Sequence, residues 1–302
     1  MFTDRGPGVD LIETAGREAA DLIVLDCMSL GALHAAEGAG MRRVVLMHTY
    51  RRYLTHSWSR GPIGLLARLK GQNPTRLWNS ADLVLVATER SLDPAEEGTL
   101  PASVRYVGVV QPTPSPEASA ATGGGRARIL VSLSTIYYSG QDSALQRIMD
   151  GLSDLPVDAI VTTGATVDPD QLRAPGNVEL HRNLPHADVM PQVDLVIGHG
   201  GHATTMRALA HDLPILIMPM HPMLDQKMIG HSIHAAGAGR VLPRTAAPSQ
   251  IATAVKQLLE PGAHTSAAAR LGARLRAADG ATTAANHICA LLPTSELGKH
   301  RG

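Results

Sequence analysis

The stretch Gly198-His199-Gly200-Gly201-His202-Ala203-Thr204-Thr205-Met206-Arg207-Ala208-Leu209, answered by Pro219-Met220-His221-Pro222-Met223-Leu224-Asp225-Gln226, decides how the chain is read. The apolar run Val193 to Gly198 predicts a short buried strand, and a helical pattern continues from Ala203 to His211. Between them, paired glycines allow close backbone approach to a ligand. A helix starting there aims N–H groups and a positive dipole end into the turn. His199 and the Thr204 and Thr205 hydroxyls add side-chain donors, so the turn suits two phosphates without a lysine or a metal. After a second predicted strand, Leu213 to Pro219, Asp225 and Gln226 place a carboxylate beside an amide, a pair suited to vicinal sugar hydroxyls.

Strand and helix patterns alternate on both sides of this motif. Ala20 to Cys27, Val44 to Met47, Leu83 to Val86 and Val104 to Val107 read as strands of a first half, with a helical pattern at Leu30 to Ala39. The segment 111–126, rich in Pro and Gly, reads as a linker. Ile129 to Leu133, Val157 to Thr162, Val178 to His181, Val193 to Gly198, Ile215 to Met218 and Gly239 to Leu242 form a second strand series. Helices are expected between these, near 142–153, 202–211, 225–236 and 249–259, and again at Ser266 to Ala278 and Thr282 to Leu292. The organisation is α/β: residues 1–110, a linker, and a second doubly wound domain over 127–302.

Composition limits the function classes. The chain has 302 residues, 44% hydrophobic and 18% charged, with a formal net charge of zero, which gives no footprint for nucleic acid. Cys27 and Cys289 are its only cysteines, so no disulfide framework or repeated metal-binding spacing is expected, and a reducing cytoplasm is the default compartment. No apolar run reaches the ~18–20 residues a membrane span needs. His199 with His202, and His231 with His234, have helical spacing but no third ligand at a useful distance, so neither a metal nor a cofactor is expected. From Gly38 to Ala81 there are eight basic residues and no acid, with Tyr50, Tyr53, Trp58 and Trp78 among them. This reads first as a solvated loop region, and second as a basic aromatic face for an anionic acceptor or a membrane surface.

The donor-type motif resembles the signature of the family 1 glycosyltransferases, particularly the bacterial branch that decorates macrolides and other natural products. His199, the Gly200-Gly201 pair, Thr204, Ala208-Leu209, Leu213-Pro214 and Asp225-Gln226 carry the resemblance, with Leu184-Pro185-His186-Ala187-Asp188 ahead of them. The resemblance implies a GT-B fold of two Rossmann-like domains. It implies an enzyme that moves a hexose from a UDP- or dTDP-sugar donor to a small-molecule hydroxyl acceptor, with inversion and without metal. By it, His199, Gly200, Gly201, Thr204 and Thr205 hold the diphosphate, Asp225 and Gln226 the sugar, and Asn183, Leu184 and His186 the nucleoside. Ser134 and Thr135 contribute a loop contact.

Two features depart from the family. Asn183 stands where an aromatic residue commonly stacks on the base, and Arg207 where an acid often meets the ribose, which tilts the expectation slightly toward thymidine diphosphate. Only about 110 residues precede the linker, where a Rossmann-like half of roughly 180–200 is expected. The resemblance therefore implies an incomplete N-terminal domain without its base-bearing loop, and weak or no transfer by this chain. The rival expectation is a non-catalytic nucleotide-sugar-binding protein, or a donor subunit completed by a partner subunit. Asp26 matches the aspartate that orients the family's base, here expected to lack its histidine; alternatively it caps the helix near Ser29. His48 is read as a structural histidine in preference to a substitute base.

Overall fold

A computed structural model describes residues 2–95, 100–110, 125–134 and 136–292. The chain divides into two compact units, residues 1–110 with 279–302, and residues 111–278. Most of the linker expected at 111–126 lies outside the described residues.

The first unit holds a four-stranded parallel sheet of β1 (Ile23–Asp26), β2 (Arg43–Met47), β3 (Leu83–Val86) and β4 (Val104–Tyr106), in that order. It also contains α1 (Gly6–Arg17), α2 (Leu30–Gly38), a π-helical turn at Tyr53–Trp58, α3 (Pro62–Leu69) and α4 (Pro74–Asn79). β1 is shorter than the apolar run predicted because Ala20 to Leu22 precede its pairing with β2. β3 is buried along its whole length, as expected of a parallel strand covered on both faces. Val44, Leu83, Leu85 and Ala87 line one face of the sheet, where they meet Ala284, Ile288 and Leu291 of the last helical segment.

The basic aromatic face does not form. Tyr50, Tyr53, Trp58 and Trp78 are all buried, and the two tryptophan rings stack at 6.0 Å between centroids. Burying these rings removes far more apolar area from water than the arginine side chains would, so the aromatics take the core, and Arg43, the one buried basic residue of the stretch, bonds Ser80 and Glu37. Ile63, Leu65, Leu66 and Leu69 remain exposed on α3.

The second unit is a six-stranded parallel sheet: β5 (Ala127–Ser132), β6 (Val157–Thr162), β7 (Val178–His181), β8 (Leu195–Gly198), β9 (Ile215–Ile217) and β10 (Gly239–Val241). Their spatial order is β10-β9-β8-β5-β6-β7, so the chain reverses direction across the sheet between β5 and β8. Doubly wound folds bind ligands in the crevice beyond the carboxyl ends of the strands at such a reversal. The helices are α5 (Gln141–Leu152), the short α6 (His186–Val189), α7 (His202–Ala210), α8 (Gln226–Ala235), α9 (Pro248–Leu259) and α10 (Ala263–Ala277). A core of β-branched and aliphatic side chains from β5, β6 and β8 packs against α5 and α9. The last helix, α11 (Gly280–Cys289), belongs to the first unit.

Candidate functional site

β8 ends at Gly198, whose carbonyl accepts from Met218 N at 2.8 Å, and the chain turns at once into α7. Two glycines make that turn feasible. Gly200 has φ +86°, and a Cβ there would lie 2.7 Å from the Gln226 carbonyl oxygen and 2.9 Å from Ile217 Cγ2. The missing side chain thus lets the start of α8 pack directly on the phosphate-type turn, joining the two halves of the sequence motif. At Gly201 a Cβ would meet His199 Nε2 at 2.6 Å, so the imidazole lies over this residue. Gly201 is also the N-cap of α7 and provides no side-chain cap, which leaves the first turn to be met from outside the helix.

A cavity of about 450 Å³ opens at the reversal between β5 and β8. Its wall brings together Ser134, Asn183, Leu184, His186, His199 and Thr204, residues drawn from three separate stretches of sequence. Thr135 lies outside the described residues. Thr205 is only 3% exposed and does not line the cavity, because its place on α7 turns it toward the core. Gln226 is likewise buried, and its Oε1 accepts from Met220 N at 2.7 Å and His221 N at 3.0 Å. It braces the loop before α8. Asp225, the N-cap of α8, is part-buried and also stands outside the cavity wall.

Ser134 is committed to its own loop: its hydroxyl oxygen accepts from Ile136 N at 3.1 Å and its carbonyl from Gln141 Nε2 at 3.0 Å. His186 Nε2 bonds the Ser132 hydroxyl at 3.0 Å. Burial, with a smaller contribution from the Arg207 guanidinium, holds the His186 imidazole below the usual histidine range.

Burial lowers the His199 pKa to about 4, so the ring is neutral at pH 7. A neutral imidazole can still donate to a phosphate oxygen but brings no positive charge of its own. Its Nδ1 is buried without a hydrogen-bond partner among the described residues. Such an atom carries a desolvation penalty that a ligand contact would offset. Because the folded pKa lies below the ordinary 6.5, the unfolded chain binds more protons between those values. The second unit should lose stability, on the order of 3 kcal/mol, as pH falls from about 6.5 to about 4. Thermal unfolding of the chain and of His199→Gln across that range checks this; parallel pH profiles for the two would refute it.

Arg207, read from sequence only as a departure at the ribose position, and Tyr138, not singled out there, also stand in the wall. Arg207 places a guanidinium in the cavity wall, supplying the positive charge that His199 does not. Tyr138 supplies an aromatic ring there, 5.7 Å from the His221 ring. Spacing on α7 held a signal for the first, since residue 207 is one turn beyond Thr204 and faces the same side.

In the first unit, Asp26 and His48 lie at the carboxyl ends of β1 and β2. His48 Nδ1 is 2.8 Å from Asp26 Oδ2. The expectation that Asp26 has no histidine is thereby overturned: the parallel register puts Asp26 opposite Leu46 and so brings His48, two residues on, to its side. Nor does Asp26 cap α2, since its Oδ1 accepts from Met28 N, before the helix begins. Burial raises the Asp26 pKa, but the His48 and Met28 hydrogen bonds and the adjacent imidazole outweigh it and the net shift is downward. Asp26, His48 and the buried Cys27 bring three ligand-type atoms within 4.8 Å. The thiol is driven strongly toward its protonated form by its burial and by the Asp26 charge.

Two parallel α/β units, one with a cavity at the sheet reversal beside a glycine turn, define a two-domain architecture of the GT-B type. The solved glycosyltransferase of kitacinnamycin superposes on 95% of this chain and 80% of its own with a TM-score of 0.77 at 22% identity. Spinosyn rhamnosyltransferase SpnG complexed with thymidine diphosphate superposes on 93% and 76% with a TM-score of 0.67 at 19% identity. Residues 146–291 match the family model of the erythromycin biosynthesis protein CIII-like C-terminal domain. A PGL/p-HBAD biosynthesis glycosyltransferase of Mycobacterium tuberculosis (strain ATCC 25177 / H37Ra) is 28% identical over 239 residues, which is 77% of this chain and 54% of that protein. Residues 146–291, just under half of the chain, thus resemble the C-terminal domain of a glycosyltransferase family, and the chain as a whole is similar to bacterial glycosyltransferases. It spans about half the length of this mycobacterial relative. Among the described residues no helix is long and apolar enough to cross a membrane.

Proposed function

We propose that the second unit binds a nucleotide-diphosphate sugar and that the chain transfers its hexose to a hydroxyl of a small-molecule acceptor, with inversion and without a metal. The observation that carries this reading is the convergence of His199 from the glycine turn with Thr204 and Arg207 from α7 on one cavity at the sheet reversal. The diphosphate lies against the α7 N-terminus, where N–H donors and the helix dipole stabilise charge growing on the leaving group. Tyr138 offers an aromatic face for the base in place of the one Asn183 lacks. The relative solved with thymidine diphosphate favours that nucleotide, in line with Arg207 standing where an acid for the ribose is absent. On the acceptor side, the exposed leucines of α3 suit an acceptor with an apolar body.

A donor-binding protein without catalysis is the rival. The Asp26–His48 pair argues against it, since a polarised histidine at a strand end has no use in donor binding on the other unit.

Titration of the chain with dTDP and with dTDP-glucose tests the site. In Asp225→Ala, dTDP should bind within about twofold of the parent, whereas dTDP-glucose should bind some 5–100-fold more weakly, the worth of one or two hydrogen bonds to a charged group. Equal losses for both ligands would remove Asp225 from the sugar site.

A further inference from the structure

We infer that the first unit carries a ligand site of its own, a cavity lined by Arg51, Arg60 and Arg68 that takes a phosphate-type oxyanion. It is separate from the donor site, which belongs to the other unit.

The basic residues between Gly38 and Ala81 part company in the fold. Arg43 and Arg76 pair with Glu37, Arg42 bonds the Leu291 carbonyl, Lys70 the Thr3 hydroxyl, and Arg52 the His56 ring. The other three, Arg51, Arg60 and Arg68, meet in one cavity of about 460 Å³. Among the described residues its wall contains no acid. Thr75 and Asn79 add a hydroxyl and an amide to it, and His56 an imidazole.

Local structure explains the gathering. Tyr53–Trp58 forms a π-helical turn, a geometry frequent at functional sites, and Ser59 N closes it on the Leu54 carbonyl at 2.9 Å. Arg51 and Arg60 therefore flank one wide turn. Gly64 then lets α3 fold back onto it, since a Cβ there would lie 1.8 Å from the Ser59 carbonyl oxygen. The reversal carries Arg68 to the same place, where its guanidinium donates to Ser59 O at 2.7 Å. That bond occupies only part of a fork with five donors.

The charges stay available. Asp93 meets Arg51, yet its carboxylate accepts from the backbone N–H groups of Arg51 at 2.7 Å and Ala95 at 3.1 Å and from the Tyr106 hydroxyl at 2.7 Å. It serves the backbone and not the guanidinium. No ion pair joins Arg51, Arg60 or Arg68 to an acid among the described residues. Like charges on one wall repel, so the arrangement is most favourable with an anion between them. Guanidinium forks match phosphate oxygens in pairs, and a tetrahedral group with three free oxygens can serve three forks where a carboxylate offers two oxygens. Such a group occurs both on soluble phosphomonoesters and on the headgroups of anionic lipids.

The test is equilibrium dialysis of residues 1–302 against radiolabelled inorganic phosphate, with dTDP at saturation and sodium chloride holding the ionic strength constant. The parent should bind phosphate with a dissociation constant of about 10 mM or below. Arg51→Gln combined with Arg60→Gln should weaken binding at least about tenfold at an unchanged melting temperature, because neither guanidinium holds another group in place among the described residues. Arg51→Lys combined with Arg60→Lys keeps the charge without the fork and should lose less. Sedimentation with phosphatidylcholine vesicles distinguishes the two sources. If the parent sediments only when phosphatidic acid is included, and the paired glutamine variant does not, the site holds a lipid headgroup; phosphate binding without sedimentation assigns it to a soluble phosphomonoester.

Phosphate binding that the paired glutamine variant keeps in full overturns the site. So does a parent chain that binds neither phosphate nor the acidic vesicles. Failure of dTDP to bind would remove the proposed donor site and leave this one standing.

Discussion

Replacing His199 and Thr204 together by alanine should weaken dTDP binding by at least about 100-fold while leaving the melting temperature of the second unit nearly unchanged. Each side chain faces the cavity and offers a donor to an anion, and a hydrogen bond to a charged partner is worth about 1.5–3 kcal/mol, so two approach 3–6 kcal/mol. Stability should hold because removing His199 also removes a buried nitrogen that has no partner among the described residues. Calorimetric titration measures the first quantity and thermal unfolding the second. Binding within tenfold of the parent would move the diphosphate elsewhere, with the Arg207 side of the cavity the next place to probe.

Trp78→Ala should destabilise the first unit by about 3–5 kcal/mol, which for a unit of this size lowers its melting temperature by about 10 °C or more. The ring is 1% exposed, stacks on Trp58 at 6.0 Å, and donates to the Cys27 carbonyl. Its removal leaves a cavity and an unsatisfied carbonyl at the same point. Trp58 fluorescence follows the unfolding of this unit, and dTDP binding follows the other, which should be unaffected at 25 °C. A loss below about 1 kcal/mol would show that α4 collapses to fill the space.

Much of this architecture was legible because buried parallel strands have a plain signature: a short apolar run between turn residues. Val157 to Thr162, Val178 to His181 and Leu83 to Val86 coincide with the observed strands. α1 was not foreseen, since Gly6-Pro7-Gly8 reads as a turn. Proline in the first helical turn and a glycine notch explain it, because a Cβ at Gly8 would lie 2.8 Å from Ala35 Cβ and prevent α1 from seating on α2. The glycine turn and Thr204 could be placed from spacing, and His186 from the family resemblance alone.

What spacing does not carry is burial and register. Thr205 and Gln226 belong to the motif, yet one faces the core and the other braces a loop. His199 is neutral for a reason of solvation, which no linear pattern encodes. His48 became informative only once strand register set it beside Asp26, 22 residues away.

The course of the chain has one more consequence. The first unit is discontinuous: its final helix, α11, is separated from β4 by the entire second unit, and Gly280 packs so closely that a Cβ there would lie 2.4 Å from the Val109 carbonyl. During synthesis, domains generally fold as they emerge, N-terminal first. Here that order is reversed. The face of Val44, Leu83 and Leu85 stays open to water until α11 leaves the ribosome, while residues 111–278 can complete their sheet before it appears. At synthesis rates of about 5–20 residues per second, the first sheet waits on the order of ten seconds or more with one apolar face bare, an interval in which a chaperone that binds apolar surface has its natural target.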